Sequence, residues 1–133
     1  MSEGRGAMTG GGYRDEDLEF KPVAGPPRYG NTASGPVRYV VVANQDGVIG
    51  YLWASDADDG AGYEYLRSAG DAAANAGVPW YQRLRAAKAD GLTPSQALVR
   101  LAAEPGDPVI GRVVPGSEGT APSLAAVKEL AAG

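Results

Sequence analysis

Four carboxylates stand close together near the middle of the chain. Asp56, Asp58, Asp59 and Glu64 fall within nine residues, with no basic residue between them. Carboxylate oxygens are the ligands that Ca²⁺ and Mg²⁺ prefer in proteins. Two acids held in one cleft can also perform general acid–base chemistry. The segment is therefore a candidate ligand or metal site.

The spacing of these acids does not match the loop of an EF-hand. With Asp56 at the first position, the sixth position is Ala61 instead of glycine and the twelfth is Arg67 instead of glutamate. Acids in such a loop can also stabilise the start of a following helix through its dipole. We therefore predict no tight metal site here, and a solvated acidic loop over residues 56–62 stays open as an alternative.

Composition removes several classes of function. The 133 residues contain no cysteine and no histidine, which excludes thiol nucleophiles, Cys or His metal ligands and Ser-His triads. The net charge is −4, which argues against binding to nucleic acid or to an anionic membrane. We find no catalytic signature and predict no cofactor.

Two apolar segments, residues 37–43 and 48–54, predict a β-hairpin because both are rich in β-branched and aromatic residues. Residues 44–47, Asn-Gln-Asp-Gly, are typical of a tight turn that ends in a left-handed glycine. If Gly47 is the bulged residue, one face of the hairpin carries a mainly aromatic set: Tyr39, Val41, Ile49, Tyr51 and Trp53. The other face is also apolar, so one of them must be covered by another element or another chain.

The first 36 residues differ from the rest of the chain. They are rich in glycine and proline and sustain neither helical nor strand periodicity, which predicts a flexible N-terminal tail and one domain over residues 37–133. Inside this tail, the segment Tyr13–Phe20 combines four acids with three apolar anchors. It can serve as a docking motif for a protein partner, with a solvated stretch as the alternative.

The sequence contains no apolar run of the roughly 20 residues that a membrane helix needs. The first ten residues also lack the apolar region of a signal peptide. We therefore expect a cytoplasmic protein without a membrane partner, and its alanine, glycine and arginine content indicates a bacterial source.

Helical patterns follow the hairpin. They predict helices over residues 63–76, 79–89, 93–104 and 121–131, and a strand over residues 109–114. Thr93, Pro94 and Gln96 fit a capping box at the start of the third helix. The predicted fold class is α+β, with a small antiparallel sheet built on the hairpin and packed against three to four helices.

These observations favour a non-catalytic interaction or assembly module, expected to be a homodimer that buries the aromatic hairpin face. The alternative is a small-molecule or divalent-metal binding protein, with hydrolysis as an option, that uses the acidic loop 56–64.

Overall fold

The computed structural model describes residues 27–133. Within this range the chain forms strands β1 (Val37–Asn44), β2 (Gly47–Ser55), β3 (Gly60–Tyr65), β4 (Arg112–Val113) and β5 (Gly119–Ala121). The helices are α1 (Asp71–Asn75), α2 (Gly77–Ala89), α3 (Pro94–Ala103) and α4 (Leu124–Ala132), and a 3₁₀ turn (Arg67–Ala69) precedes α1. The predicted α+β class is confirmed. Predictions for residues 1–26, including the segment Tyr13–Phe20, lie outside the described residues.

The five strands form one antiparallel sheet. β2 lies between β1 and β3, and the outer edge of β1 is shared by β5 at its start and β4 at its end. In the hairpin, Val41 pairs with Tyr51 and Tyr39 pairs with Trp53, so these four residues share one face as predicted. The middle of the sheet is therefore the hairpin, as its β-branched and aromatic sequence indicates.

The predicted helix over residues 63–76 is wrong in its first half. β3 continues to Tyr65 because it pairs with β2 from Gly60 onward. Gly70 has a φ of 82°, so only Asp71–Asn75 form the short helix α1. Strand pairing, which joins residues distant in sequence, outweighs the local alanine pattern here.

The predicted strand over residues 109–114 is also shorter than expected. Only Arg112–Val113 pair with β1. Asp107 Oδ1 accepts hydrogen bonds from the backbone N–H groups of Val109 and Ile110, which turns the preceding residues into a compact loop. Trp80 Nε1 donates to the Ile110 carbonyl at 2.8 Å and fastens this loop to α2.

One face of the sheet packs on α2 and α3. Its core cluster joins side chains from both strands of the hairpin to both helices: Val40, Val42, Leu52, Trp80, Leu84, Leu98 and Leu101. The predicted capping box at the start of α3 is confirmed. Thr93 Oγ1 accepts from the Gln96 N–H, and Gln96 Oε1 accepts from the Thr93 N–H.

The opposite face of the sheet packs on α4. Val37, Trp53, Ala121, Leu124 and Val127 form a second buried cluster there. Ser123 caps α4 by accepting a hydrogen bond from the Ala126 N–H. Each face of the hairpin is thus covered, at least in part, from within the chain.

The segment before β1 belongs to this packing. Tyr29 is only 7% exposed, and its hydroxyl donates to the Leu92 carbonyl at 2.8 Å. Gly30 forms a parallel bridge with Gly60. The chain therefore packs on the domain from Tyr29 onward, well before the predicted domain start at Val37.

The outer edge of β3 is closed at two places. Gly30 exchanges backbone hydrogen bonds with Asp59 and Ala61. Further along, the Tyr81 hydroxyl accepts from the Tyr63 N–H and contacts the Tyr63 carbonyl. An edge covered in this way offers few free groups for pairing with another strand.

None of the helices in residues 27–133 combines the length and the apolar character that crossing a bilayer requires.

Candidate interaction surface

The α4 side of the hairpin holds an aromatic pair. Tyr39 of β1 and Tyr51 of β2 lie edge to face, with ring centroids 6.1 Å apart and an interplanar angle of 74°. This geometry suits the charge distribution of aromatic rings. Both rings are half-buried, as is Val41 beside them. We call Tyr39, Val41 and Tyr51 the aromatic patch.

Trp53 was predicted to share this exposed surface, and the structure places it in the core. Its side chain is 1% exposed and belongs to the buried cluster that includes Val37 and Val127. Helix α4 covers this end of the face. Trp53 therefore lies beside Tyr39 on the same face, covered by α4, and offers no area to a partner.

Ile49 was also predicted on the aromatic face, and this placement is wrong. Val42 pairs with Gly50 and Ala43 pairs with Val48, so Ile49 is the extra residue of a β-bulge. The predicted bulge at Gly47 is not observed, because Gly47 pairs directly with Asn44. The shift sends the Ile49 side chain into the core on the α2–α3 side.

Helix α4 flanks the aromatic patch. Ala126 packs against the same cluster as Tyr39 and Tyr51. Leu130 lies one helical turn further on the same side of α4 and is 43% exposed. On the patch side of the hairpin, β1 and β2 present no charged residue between Val37 and Trp53. The hairpin part of this surface is thus uncharged. At its border, Glu64 of β3 pairs with Tyr51 across the strands and forms an ion pair with Lys128 of α4.

The carboxylates of the acidic loop form hydrogen bonds and ion pairs within the chain. Asp58 accepts hydrogen bonds from the backbone N–H and the hydroxyl of Ser34 and from the hydroxyl of Ser55. The Ser34 N–H, and then the Ser55 hydroxyl, hold the pKa of Asp58 below its ordinary value of 3.8. Asp58 therefore fastens the segment before β1 to the turn between β2 and β3.

Asp56, Asp59 and Glu64 each contact a different partner. Asp56 Oδ1 accepts from the Ser95 N–H at 2.8 Å, in the first turn of α3, where a negative charge is favourable. Asp59 forms an ion pair with Lys88. Glu64 lies 3.3 Å from Lys128 and 3.8 Å from Arg67. Each carboxylate has a structural role of its own.

The acids consequently do not form a shared ligand shell. Within residues 27–133, no group of three or more Asp, Glu, His or Cys side chains is placed to hold a metal ion. The hydrogen bonds and ion pairs of these carboxylates account for their presence in the loop without a bound cation.

The packing role of Gly60 and Gly62 was not predicted from the sequence. A Cβ on Gly62 would lie 2.8 Å from Trp53 Nε1, and a Cβ on Gly60 would lie 3.3 Å from Trp53 Cζ3. Two glycines on one face of β3 therefore make room for the indole of Trp53. The alternating Gly-Ala-Gly pattern after the acids indicates that one face of this segment has room for a large side chain. Which side chain fills it can be known only once the partner strand is known.

Comparison with known proteins gave no relatives. No family model, no curated protein and no solved structure matches this chain.

Proposed function

We propose that this protein is a non-catalytic interaction module that pairs with a second copy of itself through the aromatic patch. The observation that carries the proposal is the partly exposed Tyr39–Tyr51 pair on a sheet face that α4 covers only at one side. Tyrosine is enriched at protein interfaces because it combines a large apolar ring with a polar tip.

The charge pattern supports a protein partner. Interface cores are depleted of charged residues, and the three residues of the aromatic patch carry no charge. The ion pair between Glu64 and Lys128 stands at the border of the patch, where the rim of an interface is ordinarily polar. A flat patch at the centre of a sheet can meet its own copy across a twofold axis, which is the commonest symmetry of soluble oligomers. The patch alone is smaller than a standard interface of about 800 Å² per partner, so the α4 flank must contribute area.

The test is the molar mass of the full chain in solution. Light scattering at micromolar concentration is expected to give the mass of a dimer, and Tyr51→Glu is expected to give that of a monomer, because a buried unpaired charge opposes association. Leu130→Glu, on the α4 flank, should act in the same direction.

Val78→Glu is the matched control. Val78 is 65% exposed on α2, which packs on the opposite face of the sheet, so this variant should stay dimeric. A monomeric mass for the unmodified chain at high micromolar concentration would contradict the proposal. So would equal loss of the dimer in Val78→Glu and Tyr51→Glu.

A further inference from the structure

A cleft lies between the segment that precedes β1 and helix α2. Its volume is about 370 Å³. The residues that matter for its chemistry come from three elements: Arg28 and Gly30 before β1, Ala61 of β3, and Tyr81, Leu84 and Arg85 of α2. It opens on the α2 side of the molecule, away from the aromatic patch.

The cleft has an apolar floor and a basic rim. Ala61 and Leu84 are buried and form part of the floor. Arg28 and Arg85 bring two guanidinium groups to the lining. Within residues 27–133, neither arginine forms an ion pair, whereas Lys88 on the next turn of α2 is paired with Asp59. The lining therefore suits a ligand that combines apolar side chains with carboxylates.

Both walls of the cleft are held in place by hydrogen bonds. The Tyr81 hydroxyl contacts the backbone N–H and carbonyl of Tyr63 at 3.2 Å and 3.3 Å. On the other side, the Tyr29 hydroxyl is fixed on the Leu92 carbonyl. A site whose walls are already ordered loses less entropy when it binds a ligand.

The chain itself carries a segment of the matching chemistry. Tyr13–Phe20 contains four acids, one arginine and the apolar side chains of Tyr13, Leu18 and Phe20. Seven residues separate Phe20 from Arg28, which stands at the mouth of the cleft. A linker of this length reaches up to roughly 25 Å when extended, enough to bring the segment back over α2.

We propose that the acidic segment Tyr13–Phe20 binds in this cleft of its own chain. Its carboxylates pair with Arg28 and Arg85, and its apolar anchors contact the floor formed by Ala61 and Leu84. The short tether keeps the segment at an effective concentration of about 1 mM, so even weak contacts fill the cleft for a large share of the time. This inference does not rest on the proposed dimer, because the two surfaces are separate.

The experiment uses the full chain with a spin label. Because the sequence has no cysteine, Gly12→Cys provides one attachment site next to the acidic segment. The measurement compares amide signal intensities of Ala61, Leu84 and Arg85 before and after the label is reduced. With a dissociation constant near the effective concentration, the segment fills the cleft for about half of the time. Because binding this weak exchanges fast, amide signals close to the label are expected to lose most of their intensity while the label is active.

Charge reversal in the cleft is the decisive comparison. Arg28→Glu combined with Arg85→Glu should restore the intensities, whereas the control Arg112→Glu, an exposed arginine on β4, should leave the loss unchanged. Raising NaCl from about 0.05 M to about 0.5 M should also restore them, since the screening length falls severalfold. This second measurement keeps the test valid if the double variant folds poorly.

Three outcomes would overturn the inference. The first is full intensity in the labelled parent chain, and the second is a loss that persists after charge reversal and at high salt. The third comes from a mixture of two chains. One chain is isotope-labelled and carries no spin label, and the other is spin-labelled at natural isotope abundance. Loss of intensity at Ala61 in that mixture would show binding between chains, which contradicts binding within one chain.

Discussion

Replacing Gly62 with alanine tests how tightly the indole of Trp53 packs on β3. The added Cβ would lie 2.8 Å from Trp53 Nε1 and 3.0 Å from the Tyr81 hydroxyl, closer than such atoms normally approach. Neither group can move away freely. Trp53 is buried beneath α4, and the Tyr81 hydroxyl is bonded to the backbone of Tyr63.

The magnitude follows from two opposing effects. Forcing an extra methyl group into a packed core costs about 1–3 kcal/mol. Alanine in place of glycine within a strand recovers about 0.5–1 kcal/mol, because the unfolded glycine has more conformational freedom. We therefore expect Gly62→Ala to lower the free energy of unfolding by about 1–2 kcal/mol. For a domain of this size the melting temperature should fall by about 4 °C per kcal/mol.

Urea unfolding followed by tryptophan fluorescence measures this change, since Trp53 and Trp80 are both buried. Gly35→Ala is the matched control, because a Cβ at Gly35 meets no heavy atom within 4 Å and the residue does not require a positive φ. Its free energy of unfolding should stay equal or rise by a few tenths of a kcal/mol, about the size of the entropic gain. Equal midpoints for the two variants would refute the packing argument.

Three further outcomes are expected. Thr93→Ala should lower the free energy of unfolding by about 1 kcal/mol, and Gln96→Ala by less; equal urea midpoints for Thr93→Ala and the parent chain would show that α3 does not depend on its cap. Tyr63→Phe should cost about 1–2 kcal/mol, because the buried hydroxyl, whose pKa is raised by burial, donates to a backbone carbonyl; an unchanged urea midpoint would contradict this role. Asp58 has a lowered pKa in the folded chain. Its stabilising effect is therefore present when the pH is above the ordinary pKa of 3.8, and it is lost as the pH falls through the lowered pKa of the folded state. Asp58→Asn should therefore flatten the loss of stability between about pH 5 and pH 2, and parallel pH profiles for variant and parent would rule this out.

The hairpin and the start of α3 could be predicted because their signals are local. Turn residues 44–47 lie between two apolar segments, and the side chain of Thr93 bonds a backbone group three residues away. Ile49 was misplaced because the position of a bulge depends on how the two strands pair, which their composition does not fix. The strand β3 was missed for the same reason. Its glycines make room for the Trp53 side chain, and this role is visible only once β3 is paired with β2.

The acidic loop shows the limit of reading chemistry from spacing. Asp56, Asp58 and Asp59 are neighbours in sequence, yet each is bound by a group from a different part of the chain. Those partners are Ser95 of α3, Ser34 before β1 and Lys88 of α2, respectively. No local pattern identifies contacts that span 24 to 39 residues. The candidate metal site could be weighed only once the fold was known.

The closed outer edge of β3 has a consequence for how copies of this protein can assemble. Gly30 and the Tyr81 hydroxyl occupy backbone groups that an incoming strand would need, and the opposite border of the sheet ends in strands of two and three residues. Growth by adding strand to strand, the route to open-ended fibres, is thereby opposed at both borders. An isologous contact through side chains on a face, as proposed for the aromatic patch, would in contrast close after one twofold operation and leave particles of fixed stoichiometry.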